Sequence, residues 1–148
     1  AMGEFDQAIA DARQALAIQP DYCDALNHLA NACHLAGRSN EALAAYDRAL
    51  ELVPAHPHYR VNRGQACLKV GRTADAIADF TRVIDSTPPS PVVAVAYWRR
   101  GEAYAASGDA KRAAAERQRG REMEPGVVDL TPMVDQPATA SGGASRLQ

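Results

Sequence analysis

The sequence of 148 residues has few aromatic side chains and no long apolar run. Phe, Trp and Tyr together make up 5% of the chain, although 47% of its residues are hydrophobic, so alanine and aliphatic side chains must form the core. Small side chains favour helices that approach closely, which predicts an all-α protein. The longest apolar run is seven residues, from Val92 to Trp98. Because a membrane-spanning helix needs about 20, no such helix is expected.

Cysteine is also scarce, and its number is odd. Cys23, Cys33 and Cys67 form no Cys-x-x-Cys pair, which argues against a disulfide framework and against a cysteine zinc site. Unpaired thiols suit a reducing compartment, and no secretory signal is visible at the N-terminus. A cytoplasmic location is therefore expected.

Neither sign of charge is in large excess. Sixteen basic and 18 acidic residues leave a net charge of −2 at pH 7, which offers little attraction to nucleic acid or to an anionic membrane surface. The charge is unevenly distributed, because residues 1–22 contain four acids and one arginine, whereas residues 91–125 contain seven basic and five acidic residues. We expect neither nucleic acid nor a membrane as a partner.

The sequence does contain a repeat of 34 residues. Pro20, Pro54 and Pro88 recur at this spacing, and the same period relates alanines, glycines, cysteines and aromatic residues along the chain. The spacing lengthens once, to 37 residues between Pro88 and Pro125, because three residues are inserted in the proline-rich run 88–91. A fixed period of this length indicates a solenoid of stacked structural units.

Each unit has the pattern of two amphipathic helices joined by a tight turn. Apolar residues recur at steps of three and four in the segments 26–35 and 42–50, which places them on one face of each helix. Gly37 separates the two segments, and glycine readily takes the left-handed conformation that ends many helices. The next unit repeats this arrangement with Gly71. The sequence therefore predicts antiparallel helix pairs.

This pattern resembles the tetratricopeptide repeat family, with three full repeats and one half repeat. Residues 1–22 supply only a second helix, and the full repeats span 23–56, 57–90 and 91–127, the last with the short insertion and a polar capping helix; residues 128–148 are expected to form a flexible tail. The resemblance implies a right-handed α-solenoid of antiparallel helix pairs. The matching positions are Leu26, Gly37, Ala42, Tyr46, Ala49 and Pro54 in the first full repeat, Gly64, Gly71, Ala76, Phe80 and Pro88 in the second, and Tyr97, Gly101, Tyr104, Gly108, Ala113 and Pro125 in the third.

In this family, the first helices of successive repeats line a concave groove that binds a peptide or protein segment. Asparagine side chains in such a groove offer both a donor and an acceptor to a peptide backbone. The same amides could instead brace neighbouring helices, and the single tryptophan could instead pack within the solenoid. By the resemblance, the candidate groove residues are Asn27, Asn31, Asn62, Lys69, Trp98 and Arg99.

Arg99 makes a carboxylate of the partner an expected contact. Some family members hold a C-terminal carboxylate with two lysines, two asparagines and an arginine. Asn31, Asn62 and Arg99 match three of those places, but Asn27 and Val95 stand where the lysines are expected. The resemblance therefore does not imply binding of a heat-shock chaperone tail.

Two sets of residues depart from the family pattern. Arg60 and Arg63 replace apolar residues in the first helix of the repeat 57–90, so we expect looser packing there or guanidinium groups that reach outward to solvent. Arg117 and Gly120 occupy the places of an aromatic residue and an alanine in the last helix. That helix is polar enough to face water, as a terminal repeat must be.

These features predict a non-enzymatic module that binds a peptide or protein segment, as part of a larger scaffold or adaptor. The motifs of nucleotide-binding, zinc-protease and hydrolase sites do not occur, and no cofactor or metal is expected. Two alternatives stay open. The segment could self-associate through its N-terminal helix, where Ile9, Ala12 and Leu16 are expected to be partly bare. It could also be the regulatory region of an enzyme whose catalytic part lies elsewhere.

Overall fold

The structure is a computed structural model that describes residues 2–126, and this part of the chain forms seven α-helices and no strand. They are α1 (Met2–Ile18), α2 (Cys23–Leu35), α3 (Ser39–Leu52), α4 (Pro57–Lys69), α5 (Thr73–Ser86), α6 (Pro91–Ala106) and α7 (Ala110–Met123). The predicted all-α fold is confirmed. Within residues 2–126, every helix is too short or too polar to cross a bilayer. The predicted tail, 128–148, lies outside the described residues.

The helices stack in chain order. Each helix contacts the next one along the chain, and α4 in addition contacts both α2 and α6. The helices α2, α4 and α6 are the first helices of the three complete pairs, and their mutual contacts align them as one layer. The helices α1, α3, α5 and α7 are second helices. This arrangement is the α-solenoid that the repeat predicts.

Glycine ends the first helix of each complete pair. Gly37, Gly71 and Gly108 have φ values of +78°, +82° and +83°, in the left-handed region that glycine adopts at little cost. After Gly37, the backbone N–H of Arg38 donates to the carbonyl of Cys33 at 2.8 Å and closes the helix end. The predicted turns at Gly37 and Gly71 are confirmed. Because the two turns have similar geometry, both helix pairs have the same antiparallel arrangement.

Small side chains bring the paired helices close together. Gly64 of α4 lies against the ring of Phe80 on α5, and a Cβ atom added to Gly64 would come within 2.6 Å of that ring. Cys33 and Cys67 are almost fully buried in the same core. Burial raises the pKa of both thiols, so they stay protonated and act as small apolar residues.

Arg60 and Arg63 do not reach outward to solvent, and this expectation is wrong. Arg63 donates to Asp79 through Nε at 2.9 Å and through Nη2 at 2.6 Å, and Arg60 donates through Nη1 at 3.5 Å. Asp79 is only 4% exposed, so a buried ion cluster joins α4 to α5. The bonds to Asp79 raise the pKa of Arg63. The arrangement recurs 37 residues later, where Nε and Nη2 of Arg100 each donate to Glu116 at 2.9 Å.

The N-terminal helix buries the face that was expected to be bare. Ile9 is 2% exposed and Ala12 is 7% exposed, while Leu16 is half-buried beside the core cluster that includes Leu26. Ile9 is covered because α1 packs against α2, whereas Ala12 also borders an open slot between these helices. Ala8 is exposed instead. Self-association of α1, if it occurs, cannot use the face of Ile9.

Candidate functional site

Two of the predicted asparagines connect neighbouring helices of the inner layer. Asn62 on α4 donates from Nδ2 to Oδ1 of Asn27 on α2 at 3.2 Å. Asn62 is 1% exposed and Asn27 is 2% exposed. The bracing alternative therefore holds for this pair, and a hydrogen bond between buried amides keeps α2 and α4 in register.

Asn31 differs, because only its oxygen is paired. Oδ1 accepts a hydrogen bond from the hydroxyl of Tyr46 on α3, and burial raises the pKa of Tyr46, so that hydroxyl remains a donor. Nδ2 of Asn31 has no hydrogen-bond partner among residues 2–126, although the side chain is only 4% exposed. A buried donor without an acceptor costs about 1–3 kcal/mol, which a ligand acceptor or a water molecule would recover.

Two further side chains of the same layer carry a buried, unpaired nitrogen. In the described part of the chain, Nε2 of Gln65 on α4 and Nδ1 of His34 on α2 lack a hydrogen-bond partner, and the two side chains are 8% and 9% exposed. Neither was among the six candidate residues. The available signal was the repeat itself, because Gln65 follows Asn31 by 34 residues. We call Asn31 and Gln65 the amide row.

Positive charge lies close to the amide row. Nζ of Lys69 on α4 donates to the backbone oxygen of His34 at 3.0 Å, and Arg99 on α6 donates to Glu102 of its own helix at 2.8 Å. Burial, together with the charges of Lys69 and Arg99, lowers the pKa of His34, so its imidazole is neutral at pH 7. We call His34, Lys69 and Arg99 the basic patch; each of α2, α4 and α6 contributes one of its members.

Trp98 packs against the last helix and not beside the groove asparagines. Its ring centroid lies 5.6 Å from the guanidinium carbon of Arg117 and 5.0 Å from that of Arg121, both on α7. A Cβ atom on Gly120 would lie 2.9 Å from the backbone oxygen of Ala94 on α6, so the absence of a side chain at Gly120 lets α6 and α7 approach closely. Trp98 thus makes cation–π contacts within the last repeat and also packs on the main core cluster, as the packing alternative expects. Its role as a groove residue stays a prediction.

No metal centre is visible in the part of the chain that the structure describes. Residues 2–126 contain no group of three or more His, Cys, Asp or Glu side chains that could hold an ion. The chemistry available on the inner layer is therefore hydrogen bonding by amides and attraction of an anion by the basic patch.

Comparison with known proteins agrees with this architecture. The family model of the tetratricopeptide repeat matches residues 1–57, 36–91 and 61–122. A search of curated proteins finds no match. Among solved structures, the crystal structure of MamA is similar with a TM-score of 0.74 and 23% sequence identity, over 86% of this chain and 72% of that chain. This likeness shows a shared fold.

Two other similar structures are tetratricopeptide repeat domains. The domain of Arabidopsis OM64 gives a TM-score of 0.64 at 27% identity and covers 70% of this chain and 83% of that one. The first such domain of Spaghetti (RPAP3), bound to the HSP90 peptide SRMEEVD, gives 0.61 at 26% identity, over 68% of this chain and 77% of that one. The chain described here belongs to the tetratricopeptide repeat family, whose members are typically non-catalytic interaction modules.

Proposed function

We propose that this chain binds a peptide or protein segment that carries a carboxylate, in the groove lined by α2, α4 and α6, and that it does so as part of a larger scaffold or adaptor. One observation carries the proposal: the unpaired donors of the amide row are on α2 and α4, the helices that also carry His34 and Lys69 of the basic patch. A peptide backbone offers the carbonyl acceptors that amide donors need, and a carboxylate is the group that arginine and lysine bind best.

The similar domain bound to SRMEEVD supports an acidic ligand, because that peptide contains three carboxylate side chains. We do not propose the same peptide for this chain. Asn27 and Val95 stand where lysines are expected by the family resemblance, and both are almost fully buried. The charge of this groove comes instead from the basic patch, two members of which are Lys69 and Arg99. A cytoplasmic location is part of the proposal and is supported by the free cysteines.

The proposal is tested with peptides selected from a random library with free C-termini. Each selected peptide is synthesised again with its carboxylates converted to amides, and both forms are titrated by fluorescence anisotropy. We expect the amide forms to bind at least tenfold more weakly. We also expect Lys69→Gln and Arg99→Gln each to weaken the carboxylate form by about tenfold, or ~1.4 kcal/mol.

The control for these variants is Lys111→Gln, which removes an exposed charge of α7 and should leave the affinity unchanged. Circular dichroism of each variant checks that the helices are intact. If Lys69→Gln and Arg99→Gln both bind the selected peptides as tightly as the parent, the groove assignment is wrong. Asn62→Ala is less informative, because it leaves the buried oxygen of Asn27 without its donor and weakens the fold itself.

Peptide affinity should rise as the pH falls through about 6.5, the ordinary pKa of histidine, and below it, and His34 is the expected cause. In the free protein, burial and two neighbouring cations keep the pKa of His34 below its ordinary value. A bound carboxylate favours the imidazolium and raises that pKa, so binding takes up a proton and strengthens at lower pH. Peptide titrations at three pH values should show affinity rising as the pH falls for the parent, and a much smaller dependence of affinity on pH for His34→Gln. An unchanged slope in His34→Gln would contradict the role given to this residue.

A further inference from the structure

A slot opens between α1 and α2 at the N-terminal end of the solenoid. Its volume is about 690 Å³, and much of its wall is apolar. Phe5, Ala8, Ala12 and Ala15 line it from α1, and Ala25 and Ala32 line it from α2. None of the basic patch residues lines it, but Asn31 of the amide row does.

The repeat shows which kind of element fits this slot. By the 34-residue period, α1 corresponds to α3, and α2 corresponds to α4. The helix α2 contacts both α3 and α4 and covers the face of α3 that contains Ala42 and Ala49, both 0% exposed. Ala8 is the counterpart of Ala42, yet it is exposed. The slot therefore has the place and the shape for one more α-helix, antiparallel to α1.

The centre of the slot differs from the first two full repeats by one missing ring. Tyr46 and Phe80, at one position of the repeat, are 1% and 0% exposed, and α1 has Ala12 at that position. In the second full repeat the ring of Phe80 lies against Gly64, leaving no room for a Cβ atom there. In that pair the first helix has the small residue and the second helix has the ring. At the slot the second helix, α1, has the small residue Ala12. A helix in the slot has room for a large side chain at the point where α4 has Gly64.

The rim of the slot is acidic. Glu4 and Asp11 on α1 and Asp24 on α2 line it, together with the imidazole of His28. No lysine or arginine is found among its lining residues in the described part of the chain. This negative rim attracts a helix that carries basic residues beside its apolar stripe.

We propose that the slot binds a basic amphipathic helix of a partner protein, with one large apolar side chain inserted over Ala12. A second copy of this chain does not fit as the occupant. Its first helices carry Ala30, Gly64 and Gly101 at the inserting position, and these small residues would leave the space over Ala12 empty. The proposal goes beyond the groove function, because the slot shares with the amide row and the basic patch only Asn31, and because it takes another conformation of the ligand and the opposite charge.

The test uses two labelled helical peptides of about 16 residues, rich in alanine, leucine and lysine. They are identical except that the central residue of the apolar stripe is Phe in one and Ala in the other. The Phe peptide should bind the full chain at least tenfold more tightly than the Ala peptide, because a buried phenylalanine adds a large apolar area. Its affinity should fall as salt is raised, since the rim charges are screened.

Variants of α1 locate the binding site. Ala12→Phe introduces the ring that the first two full repeats have at this position, and it should weaken binding of the Phe peptide at least tenfold while leaving binding of the Ala peptide unchanged or tighter. Ala10→Phe, on an exposed part of α1 outside the slot lining, is the matched control and should behave like the parent. Ala8→Lys is at an exposed position of the slot. It should abolish binding of the peptides, because it adds charge and bulk to the slot without changing the core. This variant tests the proposal if Ala12→Phe fails to fold.

Three results would overturn the proposal: equal affinity for the two peptides, tight binding of the Phe peptide by Ala8→Lys, or stronger binding of the Ala peptide by the parent. The last result would indicate that the slot takes a further repeat helix like those of this chain. Arg99→Gln should not affect the helical peptides, so failure here and failure of the groove proposal can be told apart.

Discussion

Replacement of Asp79 by asparagine should lower the free energy of unfolding by about 3–5 kcal/mol. Asp79 is 4% exposed and accepts hydrogen bonds from Arg63 at 2.6 and 2.9 Å and from Arg60 at 3.5 Å. The substitution keeps the size of the side chain but removes its charge. Two guanidinium groups, on side chains that are only 25% and 12% exposed, then lose their main counter-charge. Urea denaturation followed by circular dichroism measures the loss.

The matched control is Asp75→Asn. Asp75 pairs with Arg72 at 2.8 Å, but both side chains are more than half exposed, and exposed pairs contribute less than about 1 kcal/mol. If Asp79→Asn costs no more than Asp75→Asn, the buried cluster does not stabilise the fold in the way we infer.

The first full repeat suggests a rescue of this ion cluster. At the positions of Arg63 and Asp79 it has Leu29 and Ala45. Replacing Arg63 and Asp79 by these apolar residues should restore part of the stability that the loss of Asp79 alone costs, because only Arg60 then stays without its carboxylate. The double variant Arg63→Leu/Asp79→Ala is therefore expected to be clearly more stable than Asp79→Ala alone, in the same urea experiment.

Phe80→Ala should cost about 3–5 kcal/mol, the second large effect. The ring is 0% exposed and lies between α4 and α5, where Gly64 makes room for it. Truncation removes the buried ring and leaves a cavity that the rigid helix pair fills only in part. The free energy of unfolding from urea titration gives the magnitude, and a loss below about 1 kcal/mol would contradict the packing described.

A second substitution at Gly64 tests the contact directly. In the parent, Gly64→Ala should destabilise by roughly 1–3 kcal/mol, because the new Cβ atom would lie 2.6 Å from a ring that cannot move aside. In the Phe80→Ala background the same change should be neutral or stabilising, since the space is open and alanine favours the helix by about 1 kcal/mol. An equal cost in both backgrounds would show that the two residues are not coupled. The coupling energy between Gly64 and Phe80 also measures how strongly a large residue prefers a small one opposite it. The proposal for the slot over Ala12 uses the same preference.

Part of the candidate site was accessible from the sequence. The repeat offsets placed Asn31, Lys69 and Arg99 on first helices. In the structure these residues are on α2, α4 and α6, the three helices of the inner layer. The repeat offsets could not distinguish an asparagine that hydrogen-bonds to a neighbouring helix from one whose amide can bind a ligand. Asn27 and Asn62 pair across 35 residues, and only the relative position of α2 and α4 decides that contact.

The buried ion pairs had a sequence signal that was not used. Arg63 and Asp79 are 16 residues apart, and Arg100 and Glu116 repeat this spacing 37 residues later. An arginine and an acid that recur together at equivalent repeat positions indicate a pair across the two helices of one repeat. Single-residue reasoning about Arg60 and Arg63 predicted exposure because it left out the partner on α5.

The sequence by itself determined the seven helical segments, the turns at Gly37 and Gly71 and the order of stacking. These depend on apolar spacing within one helix and on the left-handed conformation of glycine, which are local properties. Only the tertiary structure decided that Trp98 of α6 packs against α7, that Ile9 is buried and that Ala8 lines an open slot. In an internal repeat of a solenoid, a given position packs against the helix of a neighbouring repeat. At either end of the solenoid, the equivalent position packs against a different helix or against none. A repeat position therefore predicts a residue's direction, while its contacts depend on which helix packs there.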